Sequence, residues 1–290
     1  MIFVAGAGFG LYGHLAALAR EGQQVAAPRR YRALAEARPE LAPLVTGIRW
    51  VDDEFAAMRD ARWICLARRP EDNFALAQRL IQERIGGPVI IEKPIAPTPS
   101  QASGLEDAFV GAGRTWAVPY LFLYTEWYET LAKAVERGGK IEVLWTHHQA
   151  PNILSWKTDE QAGGGLIAFY FIHCIALAEA LRPNENQRFS ADSTLPGGSI
   201  TLLAGGREPL MLRLTLGEEA SFEIRVDGKT LWRAQSPFGA SPVRGVPDPR
   251  IPVLRRFYKS LDSGAGWQRA AAFSREVTAR WAHMHLQWAS

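Results

Sequence analysis

Directly after the apolar run Ile2 to Ala5 the chain reads GAGFGLYGH, where residues without side chains recur at a spacing that suits a phosphate diester. Gly8, Gly10 and Gly13 match the dinucleotide pattern G-x-G-x-x-G; a second register begins at Gly6 and Gly8 and meets Leu11 where its third glycine belongs. Either register serves the same physics. Bare backbone can approach a pyrophosphate, and the free N–H groups opening the following helix meet its charge. Gly6, Gly8, Phe9, Gly10 and Leu11 are therefore the residues expected against a dinucleotide.

The ribose end is read one strand later. The run QQVAA ends near Ala27, ~20 residues past the glycines, where a carboxylate would bind a 2′-hydroxyl. The chain instead continues Pro28, Arg29, Arg30, Tyr31, with no carboxylate until Glu36. Two guanidiniums suit a 2′-phosphate, so the expected cofactor is NADP, with NAD second; the competing reading is a solvated helix start. Arg68, Arg69 and Pro70 follow the strand-like RWICLA, and Glu92, Lys93 and Pro94 follow GPVIIE. Both groups fall at the carboxyl edge where parallel sheets bind ligands, which adds Arg68, Pro70, Glu92 and Lys93 to the cofactor set.

Two longer stretches, IIEKPIAPT and SWKTDEQAGGGLIAFYFIHCIAL, give the pattern a resemblance. A Glu-Lys-Pro tripeptide after a buried strand, downstream of a glycine-rich turn, resembles the family of glucose-fructose oxidoreductase, inositol dehydrogenase and MocA (Gfo/Idh/MocA). In that family the lysine lies beside the nicotinamide and the substrate hydroxyl, which makes Lys93 its counterpart here. An ammonium in that place can polarise a carbonyl and donate a proton as hydride arrives. The second stretch is similar to the family's segment of tryptophan, basic residue, polar residues and glycine triplet, followed by an aspartate and a histidine four residues apart on a helix. Trp156, Lys157, Gly163, Gly164, Gly165 and His173 match it.

The departures from that segment bear on the chemistry. Phe169 occupies the family's aspartate position and Ala176 a second acidic one, so the Lys-Asp-His set is incomplete. Tyr170, three residues before His173, is a substitute general acid on a partly shared helix face, or else core packing. Lys157 replaces an arginine, keeping the charge and losing the bidentate fork. The resemblance implies catalysis by Lys93 and His173, with Tyr170, and substrate contacts from Trp156, Lys157 and Tyr120. The implied reaction is NAD(P)-dependent hydride transfer between nicotinamide and a carbinol or carbonyl carbon of a small polar substrate, a sugar derivative foremost. The alternatives are an imine (C=N) reductase of the same fold, and a degenerate, non-catalytic nucleotide- or sugar-binding member.

The elements that must position these residues are legible as alternation. Short apolar runs at 2–5, QQVAA, IRWVD, RWICLA and GPVIIE are separated by helical patterns at Leu11–Arg20, 53–60 and 71–85. This β-α order predicts a parallel, Rossmann-type dinucleotide-binding domain over 1–118. From Pro119 the pattern changes. A helix ends at Gly138, KIEVLWTHHQA reads as a strand, and four segments (SITLLAGG, LMLRLTLG, SFEIRVDG, TLWRAQS) read as an antiparallel meander. The fold class expected is α/β, with a C-terminal α+β domain over 119–290 built on a large, open, mostly antiparallel sheet. The resemblance implies a homodimer through that sheet. The Pro-, Gly- and Arg-rich segment 237–252 reads as a long loop bordering a cleft or the dimer interface.

Composition sets outer bounds. With 290 residues and 47% hydrophobic content the chain can bury one large or two ordinary cores, and its length favours two. Basic and acidic residues number 33 and 30, and the net charge of +3 gives no argument for nucleic acid or a membrane surface. The two cysteines, Cys65 and Cys174, sit in apolar segments, and the N-terminus lacks a signal-peptide pattern; the expectation is a soluble cytoplasmic protein. His147 and His148 alternate across a strand, and His283 and His285 are separated around a helix, so no metal is expected. Trp50, Trp63 and Trp232 are expected in the core.

Overall fold

The structure, a computed structural model, describes residues 1–148, 156–183, 185–192, 198–205, 209–240 and 243–289. Its chain divides into two compact units, one of residues 1–119, 161–163 and 242–278, the other of 120–160, 164–241 and 279–290.

The first unit is built on strands β1 (Ile2–Ala5), β2 (Val25–Pro28), β3 (Arg49–Val51), β4 (Trp63–Leu66), β5 (Val89–Ile91) and β6 (Trp116–Ala117). They lie in the order β3-β2-β1-β4-β5-β6, and every pairing is parallel. β1, β2, β4 and β5 are buried along their whole length, as strands covered on both faces must be. Intervening helices are α1 (Ala16–Arg20), α2 (Arg32–Glu36), α3 (Glu54–Arg59), α4 (Pro70–Gln82) and α5 (Pro99–Gly111). Asp53 caps α3 by accepting from the Ala56 N–H, and Thr98 caps α5 by accepting from Gln101 N–H. Strand order reverses between β1 and β4, the switch point where doubly wound sheets open a ligand crevice.

The second unit carries α6 (Tyr128–Glu136), β7 (Ile141–His148), α7 (Ile172–Leu181), β8 (Gln187–Asp192), β9 (Ser199–Ala204), β10 (Leu210–Gly217), β11 (Ser221–Val226) and β12 (Lys229–Ala234). The sheet order is β12-β11-β7-β10-β9-β8, antiparallel except between β7 and β10. The expected meander is therefore interrupted: β7 lies between β10 and β11, its Val143 opposite Leu212 on one side and Ile224 on the other. One face buries Val143, Trp145, Leu212, Leu214, Phe222 and Ile224. The opposite face carries charged residues. On it Glu223 accepts from Arg225, Arg233 and Thr230, and these partners hold its carboxyl down to about 2.

The chain ends in helices α8 (Ile251–Ser260) and α9 (Gly264–Ala289), and residues 242–278 cluster with the first unit, although they follow the second unit's strands in sequence. Aromatic packing explains their return. Tyr258 of α8 stacks on Trp63 at 6.3 Å between centroids, and Trp267 meets Trp63 edge-on at 5.5 Å. Trp50 and Trp63 are buried, as expected of core residues, whereas Trp232 is half-exposed. No helix among the described residues is long and apolar enough to cross a membrane.

Candidate functional site

The glycine turn leaves β1 and enters a wide π-helical turn, Gly10–Leu15, that continues into α1. A β-carbon on Gly6 would stand 2.1 Å from the Ala67 carbonyl oxygen, so the chain passes the end of β4 only because that residue is glycine. One on Gly8 would meet nothing within 4 Å, which leaves its backbone open to a ligand. One on Gly10 would press on Ala67 Cβ at 3.3 Å, the close helix-to-strand approach. The tight turn, the open backbone and the helix contact thus fall to Gly6, Gly8 and Gly10. Leu11 is fully buried. Gly13, which completes the other register, is covered by the Phe9 ring, 2.2 Å from where a β-carbon would be.

At the ends of β2 and β4 three guanidiniums gather with two carboxylates. Arg29 Nε donates to both Asp52 oxygens at 2.9 Å, and its Nη2 donates to the Trp50 carbonyl at 3.1 Å. Arg30 pairs with Glu54, whose other oxygen accepts from Arg68 Nη2 at 2.5 Å. The Arg29 and Arg30 side chains are each 52% exposed, so an incoming anion can reach them. Asn73, in the first turn of α4, accepts from the Arg68 N–H at 2.9 Å, and Pro70 occupies the start of that helix. Charge therefore lines the sheet edge beside an open glycine backbone, an arrangement that fits the adenosine phosphate end of a dinucleotide.

Glu92 follows β5, its N–H donating to Leu66 O at 2.9 Å, and precedes Lys93, whose bond to Pro94 is cis. The Glu92 side chain turns inward. Its Oε1 lies 2.8 Å from Nε2 of the fully buried His14, whose Nδ1 lies 2.5 Å from the Tyr258 hydroxyl. Burial works against a charge on His14, but Cys65 and Glu92 outweigh it and raise the imidazole to about 10. Burial, Cys65 and Glu92 all push the Tyr258 phenol up. Sequence reasoning assigned His14 no role, though a polar ring on the buried face of the glycine-turn helix is a signal in itself.

Segment 243–250 also lies along this edge. Arg244 Nη2 donates to Ala37 O and Gly245 N–H to Glu40 Oε2, both at 3.0 Å. Arg250, paired with Asp248 at 2.7 Å, stands 4.1 Å over the Phe9 ring at the glycine turn. The sequence places this Arg-rich segment at the border of a cleft or interface but gives neither arginine a partner, because Ala37 and Phe9 lie more than 200 residues away along the chain.

In the second unit the residues matched to the catalytic segment form an aromatic cluster. Trp156 meets Phe169 edge-on at 5.0 Å, the Lys157 ammonium stands 5.5 Å over the same ring, and Phe169 meets Tyr170 at 4.8 Å. Tyr170 reaches His147 at 4.3 Å, and burial pushes its phenol up. His173 is buried at the start of α7, its ring stacked on Phe122 at 4.8 Å and 12°. A π-helical turn over Leu166–Phe171 alters the helical phase before α7, and Tyr170 and His173 pack against different neighbours. Tyr120 is buried, 3% exposed. The triplet has steric reasons of its own: Gly163 and Gly165 hold φ of 77° and 79°, and a β-carbon on Gly164 would stand 2.0 Å from Trp156 O. Among the described residues no three His, Cys, Asp or Glu side chains come together as a metal set.

No protein-family model matches the chain, and no curated protein matches it in sequence. Solved structures do match in fold. The WlbA (WbpB) dehydrogenase of Thermus thermophilus, in complex with NAD and UDP-GlcNAcA, superimposes with TM-score 0.71 at 14% identity, over 98% of this chain and 94% of that one. Biliverdin reductase of Synechocystis, in complex with biliverdin and NADP+, gives 0.65 at 14% identity over 97% and 96%. A super-repressor mutant of Gal80p from Saccharomyces cerevisiae gives 0.68 at 10% identity over 98% and 96%. At such identities the likeness establishes the fold: a parallel dinucleotide-type domain joined to a domain with a mixed sheet, as the Gfo/Idh/MocA resemblance implies.

Proposed function

We propose that the chain is an NADP-dependent oxidoreductase of the Gfo/Idh/MocA type, transferring hydride between nicotinamide C4 and an unsaturated or carbinol carbon of a small substrate. The observation that carries this reading is the carboxyl edge of the parallel sheet, where the open Gly8 backbone follows β1, Arg29 and Arg30 follow β2 and Arg68 follows β4. Gly6, Gly8, Phe9, Gly10 and Leu11 would hold the pyrophosphate, and the arginines a 2′-phosphate. The bound nicotinamide supplies or accepts the hydride. Lys93 polarises the reacting atom, and His173, with Tyr170, is the proton-handling candidate of the second unit.

Two substrate readings compete. A sugar-derived carbinol is supported by fold analogy with the Thermus dehydrogenase bound to a nucleotide sugar. Reduction of a C=N or conjugated bond is favoured by Phe169, because such a step needs a proton donor more than a carboxylate base, and the rings of Trp156 and Tyr170 extend the aromatic surface. The fold neighbour bound to biliverdin and NADP+ lends that reading an analogy. NADPH oxidation followed across a panel of sugar ketones and cyclic imines separates the two. Tight NADPH binding with no turnover on either class would favour the non-catalytic reading. The same proposal makes the protein a cytoplasmic homodimer through the open face of its second sheet, which light scattering tests.

A further inference from the structure

The turn Gly6-Ala7-Gly8-Phe9-Gly10 has one side chain larger than a methyl group, the Phe9 ring. Three glycines leave a backbone many conformations, whereas N–H groups bind an anion best when they already point at it. Whatever fixes the ring therefore fixes the turn. The ring packs on the bare backbone of Gly13, where a β-carbon would stand 2.2 Å from Phe9 Cε2, and the Arg250 guanidinium stands over it at 4.1 Å. Tyr12 and His14 close on it at 5.7 and 5.1 Å between centroids. Arg250 is itself held. Its Nε and Nη2 donate to the buried Asp248 carboxylate at 2.8 and 2.7 Å, and Asp248 stands between Pro247 and Pro249, whose rings fix φ. Upstream, Gly245 N–H donates to Glu40, whose other oxygen accepts from Arg38 Nε at 2.6 Å, and the Arg38 guanidinium stands 4.6 Å over Tyr12. All these residues belong to the first unit.

We propose that Arg250 is a positioning residue for the dinucleotide: its guanidinium holds the Phe9 ring against Gly13 and so fixes the N–H groups of the glycine turn before the cofactor arrives. This rests on the cofactor role given to the turn above. A cation over an aromatic face is attracted by the ring quadrupole, the more so away from water, and the paired Asp248 keeps the guanidinium from swinging off. Gly13 then has a function of its own: it is the bed for the ring, which explains a glycine at that place when Gly6, Gly8 and Gly10 already supply the turn, the open backbone and the helix contact.

The test is a double-variant cycle on the full chain, read by NADPH titration and by hydrogen exchange of the cofactor-free protein. Arg250→Met, which keeps the stem and loses the guanidinium, should weaken NADPH ~3- to 30-fold, the span of a cation–π contact from exposed to desolvated. Phe9→Leu should weaken it as well, and adding Arg250→Met to Phe9→Leu should cost nothing more; an arginine that touched the phosphates itself, or served the fold alone, would still add its effect. The Leu11 and Tyr12 amides, which donate to Gly8 O at 2.9 and 3.3 Å, should exchange faster in Arg250→Met while peptides from α4 and β5 stay as in the parent. Unchanged NADPH affinity or unchanged exchange at these amides in a folded variant, additive effects in the cycle, or exchange raised alike along the chain would overturn the proposal. Should Arg250→Met fail to fold because Asp248 is left buried and unpaired, Asp248→Asn with and without Arg250→Met completes the same comparison. Exchange needs no cofactor: if the parent binds neither NADPH nor NADH, the cofactor reading fails and the exchange cycle decides the Arg250–Phe9 contact by itself, whereas NADPH binding with unresponsive amides removes the contact's role alone.

Discussion

A β-carbon on Gly6 would stand 2.1 Å from the carbonyl oxygen of Ala67, whereas one on Gly8, two residues on, would meet nothing within 4 Å. The same turn thus holds one glycine for folding and one for binding. Gly6→Ala forces backbone apart at the end of β4 and should destabilise by roughly 1–3 kcal/mol or more. Gly8→Val should leave stability within ~0.5 kcal/mol and weaken NADPH binding. Thermal melts and cofactor titrations of the two variants check both halves.

Cofactor choice should respond to the carboxylates as well as to the arginines. Glu54 bridges Arg30 and Arg68, so a 2′-phosphate competes with it for two guanidiniums. Arg30→Ala should cost NADPH binding ~1.5–3 kcal/mol, a charge-assisted hydrogen bond, and leave NADH nearly untouched. Glu54→Gln should tighten NADPH and steepen its salt dependence. Equal changes for both cofactors would place this cluster elsewhere than at the 2′-position.

Lys93→Met should lower kcat by ~10²- to 10⁴-fold, the range for losing an acid-base group. Turnover at the parental rate would remove Lys93 from the reaction.

Stability should fall as pH rises, for two stated reasons. Burial raises Glu106 from 4.5 to about 7, against the pull of its hydrogen bonds from Ser274 at 2.6 Å and Thr278 at 3.2 Å. Its folded pKa exceeds the unfolded one, so the stabilisation is complete below 4.5 and is lost as pH rises through about 7, to the extent of ~3 kcal/mol. His14, raised from 6.5 to about 10, follows the same sign: its contribution is full below 6.5 and lost by about 10. Glu106→Gln should flatten the lower part of this slope and leave the upper part in place. Melting temperatures between pH 5 and 9 report both.

Local pattern and long-range packing were unequally legible. The strand Ile2–Ala5, the glycines after it and the arginines after β2 form a continuous local code, and the parallel order followed from the alternation. Tertiary partners left no such trace. Nothing in LMLRLTLG marks it as the parallel neighbour of β7, because a strand's alternation records its buried face and not the direction of the chain beside it. The return of α8 depends on Tyr258 meeting His14, 244 residues away in sequence. At the candidate site, matched spacing identified Trp156, Lys157 and Phe169 as a segment, while their clustering around the Phe169 ring required coordinates.

The central claim is that the glycine turn and the Arg29, Arg30 and Arg68 edge bind a phosphorylated nicotinamide dinucleotide. Titration of the protein with NADPH and separately with NADH, read as energy transfer from its ten tryptophans to the reduced nicotinamide, tests it directly. Saturable binding that favours NADPH by tenfold, ~1.4 kcal/mol, is the predicted result. Absence of binding to both cofactors, or a preference for NADH, would contradict it.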